Sequence, residues 1–275
     1  MSWNITRRGL GAGALWTGFT SAGLISSAQA KTMDDIIKDG TLRVGINPNS
    51  PPFSSRDSAG AWQGFDIDIA NKIGEELKVA KVEIVPTLTA QRVPFLVADT
   101  IDISLGGLTR NSERAKQIEY TVPLHTEVMG VMTTDKVAIK SWKDLNDAKY
   151  TLIDVRSAWT IDWAKQNLPN AKVDIVDTNA DAVRAIAQGR AQALVEMLDF
   201  FTSFTKDYGD VKWQILDDKI DVGWDAIGVQ KGNYALRDVL NIILFKLHSS
   251  GYVDTAWKKA FGSDPLLKVP AQPYF

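Results

Sequence analysis

Thr41-Leu42-Arg43-Val44-Gly45-Ile46 and Phe65-Asp66-Ile67-Asp68-Ile69-Ala70-Asn71-Lys72-Ile73-Gly74-Glu75-Glu76-Leu77 decide the fold. In the first stretch Leu42, Val44 and Ile46 alternate as on a half-buried strand. In the second, Phe65, Ile69, Ile73 and Leu77 recur at every fourth position and fall on one helix face. This strand-then-helix unit repeats outward. A strand over 82–85 precedes a helix over about 91–98 and the apolar strand 101–105. A second series runs strand 151–154, helix 159–167, strand 173–176, helix 180–188 and strand 193–195. Leu236, Val239, Leu240, Ile243 and Leu247 mark a long helix closed by Gly251, and a shorter helix runs through Trp257 to Phe261. Strands alternating with crossover helices build mainly parallel, doubly wound α/β sheets, and two such series imply two lobes.

Composition narrows the function. The 275 residues are 45% hydrophobic and 23% charged, enough for a full core. Two of the 31 bases, Arg7 and Arg8, lie in the first 30 residues beside no acid, which leaves 29 bases against 33 acids in the rest. That balance excludes a basic surface for nucleic acid. With no cysteine and only His125 and His248, the chain has no cysteine-ligated zinc, thiol nucleophile or disulfide, and neither metal nor cofactor is expected.

Residues 1–30 have the form of a signal peptide. Arg7 and Arg8 precede an apolar run over about 10–25, and Ala28-Gln29-Ala30 supplies small residues for cleavage before Lys31. Thr6-Arg7-Arg8-Gly9-Leu10 also approximates the twin-arginine signal, beside the ordinary secretory reading. Either route leads out of the cytoplasm. No cysteine follows the apolar run, so the mature chain is expected to be free of a lipid anchor.

Dispersed motifs stand in a family's order: 40–45 (Gly-Thr-Leu-Arg-Val-Gly), Pro51-Pro52-Phe53, 64–68 (Gly-Phe-Asp-Ile-Asp), Arg92-Val93-Pro94, Asp102, Thr109 with 112–117 (Ser-Glu-Arg-Ala-Lys-Gln), Lys143-Asp144-Leu145, Gly189-Arg190 and Lys231-Gly232. The chain resembles the periplasmic solute-binding proteins of polar amino-acid ABC transporters over about 31–262. The resemblance implies a two-lobe periplasmic binding protein of type II, with lobe 1 over 31–124 plus 227–275, lobe 2 over 125–226, and hinge segments near 124–128 and 224–226. It further implies a monomeric, periplasmic, non-enzymatic component. Such a protein captures a small carboxylate or amino acid by cleft closure and presents it to a membrane permease.

The loop Gly106-Gly107-Leu108-Thr109-Arg110 follows an apolar strand and leads to a helix that Asn111 or Ser112 could cap, a place suited to an anion. Arg114, in the first turn, offers a planar fork for a carboxylate, and Thr109 adds a hydroxyl. The alternative for Arg114 is an ordinary surface arginine. By resemblance, Arg114 and Thr109 hold an α-carboxylate and the Gly107 carbonyl faces an amino group. Thr89 with Arg92 resembles the pair that meets a side-chain carboxylate in acidic-amino-acid binders. Against this stands an arginine that is solvated or paired with an acid such as Asp99.

Departures from the family pattern fall at the pocket. Asn47 and Ser50 replace its usual charged and aromatic positions, leaving Phe53 as the nearest ring. The lobe 2 turn reads Ser157-Ala158-Trp159 before Thr160, so Trp159 fills space or offers a ring face. The acceptor Asp for the α-amino group falls at Met197, so Glu196, Asp199 or hinge Asp225 takes its place, or the ligand has no ammonium. Trp224 lies near the expected cleft, His125 reads as a structural histidine, His248 as a solvated one, and Asp66 and Asp68 as helix-start acids. A dehydratase of the cyclohexadienyl type shares the fold as a competing reading, but Phe200 stands where its acid would be.

Overall fold

The computed structural model describes residues 31–156, 159–199, 201 and 207–271. The signal-peptide reading, Ser157, Ala158, Phe200 and the side chain of Trp159 lie outside the described residues.

The opening unit forms as its periodicity requires. Strand β1 (Thr41–Ile46) buries Leu42, Val44 and Ile46, and helix α2 (Phe65–Leu77) buries Phe65, Ile69 and Ile73 against it. Helix α1 (Met33–Asp39) precedes them behind a capping box at Thr32, and the short hairpin β2 (Ser55–Arg56) and β3 (Trp62–Gln63) lies between. Strand β4 (Lys81–Pro86), helix α3 (Arg92–Val97), strand β5 (Ile103–Ser104) and the one-turn helix α4 (Ser112–Ala115) complete this half. Strand β5 is shorter than its apolar run because only two residues pair regularly. Its flanks still bond β1, Asp102 N–H to Arg43 O at 2.9 Å and Leu105 N–H to Gly45 O at 3.0 Å.

The second half holds β7 (Thr151–Val155), α5 (Trp159–Asn167), β8 (Lys172–Val176), α6 (Asn179–Ala187) and β9 (Ala193–Met197). Between the halves run β6 (Ile118–Thr134), joined at its far end by β10 (Trp213–Ile215), and β11 (Asp221–Gln230). The sheet order is β4-β1-β5-β11-β6-β9-β7-β8. Pairs β4-β1, β1-β5, β9-β7 and β7-β8 are parallel, whereas β5-β11, β11-β6 and β6-β9 are antiparallel. Two parallel sets are thus welded by one antiparallel pair. Its register slips between Asp225 and Ala226 and again before Gly228, within and beside the segments expected to bend.

Helices α7 (Tyr234–Ser249) and α8 (Tyr252–Phe261) return to the first half. There Phe53, Phe65, His125, Trp257 and Phe261 form a ring cluster, with Trp257 stacked on Phe261 at 4.0 Å and 6°. Val131, Leu152, Ala193 and Val195 belong to a separate core in the second half.

Candidate functional site

A cleft of about 600 Å³, including solvent at its mouth, lies between the two halves. Its near wall is the loop after β5, fastened to the crossing strand by Arg110 N–H to Trp224 O at 3.0 Å and by a bridge between Thr109 and Asp225. Gly106 and Gly107 hold φ of 85° and 67°, the left-handed region, which turns both carbonyls toward Arg92. Arg114 donates through Nη1 to Thr109 O at 3.0 Å, and Tyr120 Oη donates to the same oxygen at 3.3 Å. The guanidinium is therefore oriented before any ligand arrives.

Helix α4 is a single turn, and the Asn111 side chain already accepts the Arg114 N–H at 2.8 Å. The expected anion site at a helix start therefore has little dipole behind it, and the side chains must carry the charge recognition. Thr109 Oγ1 donates at 2.6 Å to Glu127 Oε2, a buried acid on β6. Burial and Asp225 push the Glu127 carboxyl up, against the pull of His125, the Thr109 hydroxyl and Arg92.

Arg92 is 4% exposed, donating to the carbonyls of Gly106 and Gly107 through Nη1 and to Thr89 O through Nε at 3.2 Å. Burial, then the neighbouring Arg114, lower its pKa to about 10, so it remains a cation at neutral pH. The expectation of a solvated arginine or an Asp99 partner is corrected: Asp99 pairs with Arg43 at 2.8 Å. Three of the five guanidinium N–H groups are spent on carbonyls, so Arg92 supports the loop, and the Gly107 carbonyl is shared with it.

The far wall comes from β7, α5, α6 and β9. Glu196 and Met197 end β9, and Thr160 donates to Asp154, which burial pushes up to about 7. Glu196 Oε1 accepts the Met197 N–H at 2.9 Å, and burial raises this carboxyl to about 8. By surface area Glu196 is only half-buried, its residual exposure facing the cleft.

Of the residues singled out in the sequence, Asn47, Phe53, Thr89, Arg92, Gly107, Thr109, Arg114 and Glu196 line this one cleft. Asp225 does not. It lies behind the wall, its Oδ2 2.6 Å from His125 Nε2, and the pair raises His125 to about 9 despite burial. An Asp225 held by a buried imidazolium is not open to a ligand ammonium. Phe53 is 5% exposed, a member of the ring cluster with one edge at the cleft. Trp224 is 40% exposed in a separate groove with Arg110 and Ile242, so its placement near the cleft is corrected.

Asp66 is also corrected: Gly64 is the cap residue of α2, and the Asp66 carboxyl, 1% exposed and without a well-formed hydrogen bond, is raised to about 8 by burial. Asp68 instead pairs with Lys259 at 2.7 Å. His248 is not solvated; its Nε2 lies 3.2 Å from Pro123 O, and burial lowers its pKa. Glu127, Met129, Val155 and Asn179 line the cleft without having been marked in the sequence. For Glu127 a signal existed: it is the one carboxylate in the otherwise uncharged-acid-free run from Val122 to Met132, and a buried charge needs partners.

Residues 42–263 match the sequence model of the bacterial extracellular solute-binding proteins, family 3. The chain belongs to that family. This solute-binding protein is 30% identical over 258 residues to a probable amino-acid ABC transporter-binding protein of Haemophilus influenzae, covering 91% of this chain and 96% of the relative. It is 26% identical over 170 residues to the cyclohexadienyl dehydratase of Pseudomonas aeruginosa, a match spanning 61% of this chain and 63% of that enzyme. Among solved structures, an ancestral amino acid-binding protein described as a precursor of cyclohexadienyl dehydratase superposes with TM-score 0.77 at 32% identity, covering 83% of this chain and 99% of that one. The cysteine-binding protein of Campylobacter jejuni superposes with TM-score 0.78 at 28% identity, covering 87% and 96%. With the sheet order above, the solute-binding protein has the two-lobe type II periplasmic binding protein fold.

Proposed function

We propose that this chain is the ligand-capturing component of an amino-acid ABC transporter, acting in the periplasm as a monomer and handing its ligand to a membrane permease without chemical change. The observation that carries the reading is the fixed Arg114 fork beside Thr109, set in a cleft that both halves of the sheet line. The relatives that bind amino acids support the ligand class. Lobe 1 (31–124 plus 227–275) captures the α-carboxylate on Arg114, and lobe 2 (125–226) closes over it. The bend falls in 124–128 and 224–226, where the crossing pair already breaks register. Contacts made only on closure shift the equilibrium toward the closed form that the permease reads.

A second reading, dehydration of a cyclohexadienyl acid, draws on one observation besides the relative: Glu196 and Glu127 are held toward the protonated state that a general acid needs. A thermal-shift screen of chain 31–275 against amino acids, dicarboxylates and amines checks the binding reading, since a ligand of the native state raises stability by RT ln(1 + [L]/Kd). An amino acid is expected to give the largest rise, and incubation with prephenate or arogenate to give no product. Multiple-turnover product formation would replace the first reading with the second.

A further inference from the structure

The cleft holds more acid than a carboxylate receptor needs. Glu127 is 7% exposed, and only its Oε2 is engaged, by Thr109; its Oε1 lies beside Gly107, 3.5 Å from where a methyl on that glycine would sit, with no hydrogen-bond partner among the described residues. Glu196 stands on β9, the strand paired with β6, with Oε1 on its own strand end and Oε2 likewise without a hydrogen bond among the described residues. Met197, which lines the same cleft, carries only a thioether. Arg92 is turned onto three backbone carbonyls. A second carboxylate entering here would meet two glutamates and an arginine with three of its five N–H groups already spent, whereas an ammonium would meet two carboxylate oxygens that lack donors.

We propose that Glu127 and Glu196 form an amine subsite that makes this cleft selective for amino acids with a single carboxylate, the ligand ammonium lying between the two glutamates and its carboxylate on Arg114. The assignment rests on the amino-acid-binding reading above and sets aside a role for Arg92 in holding an acidic side chain. It also restores the acceptor lost at Met197 with groups on two neighbouring strands, β6 and β9.

A pH signature follows. Glu196 is raised by burial and by Asp154 and Glu127, against Arg92; Glu127 is raised by burial and Asp225, against His125, Thr109 and Arg92. With its carboxyl near 8, Glu196 is mostly protonated in the empty cleft at pH 6, and an ammonium stabilises its ionised form. Binding therefore releases a proton, and affinity rises from pH 6 to pH 8.

Calorimetry of chain 31–275 with the L-amino acids, and with the 2-hydroxy acid of the tightest one, tests the assignment. The tightest ligand is expected to be monocarboxylic and to exceed glutamate and aspartate by roughly tenfold or more, since an unpaired buried charge is costly. Glu196→Gln, which keeps size and polarity, should weaken that ligand roughly thirtyfold at pH 8, spare the hydroxy acid within about threefold, and flatten the pH dependence. Glu127→Gln should show the same amine-dependent loss and serves if the first variant does not fold. Glutamate or aspartate binding tightest, or equal losses for amino and hydroxy acids, would overturn the amine subsite and leave the binding-protein reading standing. No saturable binding by any amino acid would overturn both.

Discussion

Arg114→Ala is expected to lower amino-acid affinity by roughly 30- to 5,000-fold while the protein stays folded, the range that corresponds to about 2–5 kcal/mol for truncating one partner of a buried charge pair. The structure gives two reasons for so large an effect. The guanidinium is held in place by Thr109 O at 3.0 Å, so little ordering is left for binding to cost. The one-turn helix behind it cannot substitute, because a dipole that short contributes little and its Arg114 N–H is already taken by Asn111. Lysine restores charge but not the planar fork, so Arg114→Lys should recover only a small part of the loss. Arg114 is half-buried on a surface turn, which is why the fold should tolerate both changes. Calorimetry on variants with wild-type circular dichroism reads the result, and affinity within threefold of wild type would remove the carboxylate assignment.

The second large effect concerns stability. Trp257 on α8 is 1% exposed and touches four other rings, stacked on Phe261 and meeting Phe65 at 5.3 Å, Phe53 at 6.0 Å and His125 at 5.2 Å. Its indole N–H has no hydrogen-bond partner among the described residues, so packing is what holds it. Trp257→Ala should cost about 3–5 kcal/mol through lost burial and the cavity left behind. For a chain of this size that is a fall in Tm of roughly 10 °C. Because Phe53 has one edge at the cleft, the same change should loosen the near wall and weaken binding as well. Urea unfolding of the two proteins gives the difference, and a loss below about 1 kcal/mol would mean that the ring cluster is not the support described.

What the sequence disclosed and what it hid follow from the same periodicities. Phe65, Ile69, Ile73 and Leu77 name α2 because one face of a helix is buried and the other wet. Strand β6 has no such alternation. From Leu124 to Thr134 it is buried on both sides, so neither a period of two nor a turn signal marks it, and Pro123 interrupts the run. Glu127, the most informative residue of the cleft, was hidden with it. Arg92 was legible as a special arginine through its neighbours, but its orientation depends on two glycine carbonyls contributed by a loop 14 and 15 positions away. Asp225 and Asp66 failed as readings for a related reason. Adjacency to the hinge or to a helix start says nothing about burial, and both carboxyls turned inward toward His125. Arg114, Thr109, Gly107 and Asn47 come together because one loop and one strand end carry all four, a local arrangement that sequence order preserves.

Native mass spectrometry of chain 31–275, mixed with the amino acid that gives the largest thermal shift, tests the central claim most directly. The account predicts one complex of protein with a single amino acid of unchanged mass, recovered intact on denaturation and strongly depleted in Arg114→Ala. A bound or released species of altered mass, or an adduct as abundant in Arg114→Ala as in the wild type, would contradict it.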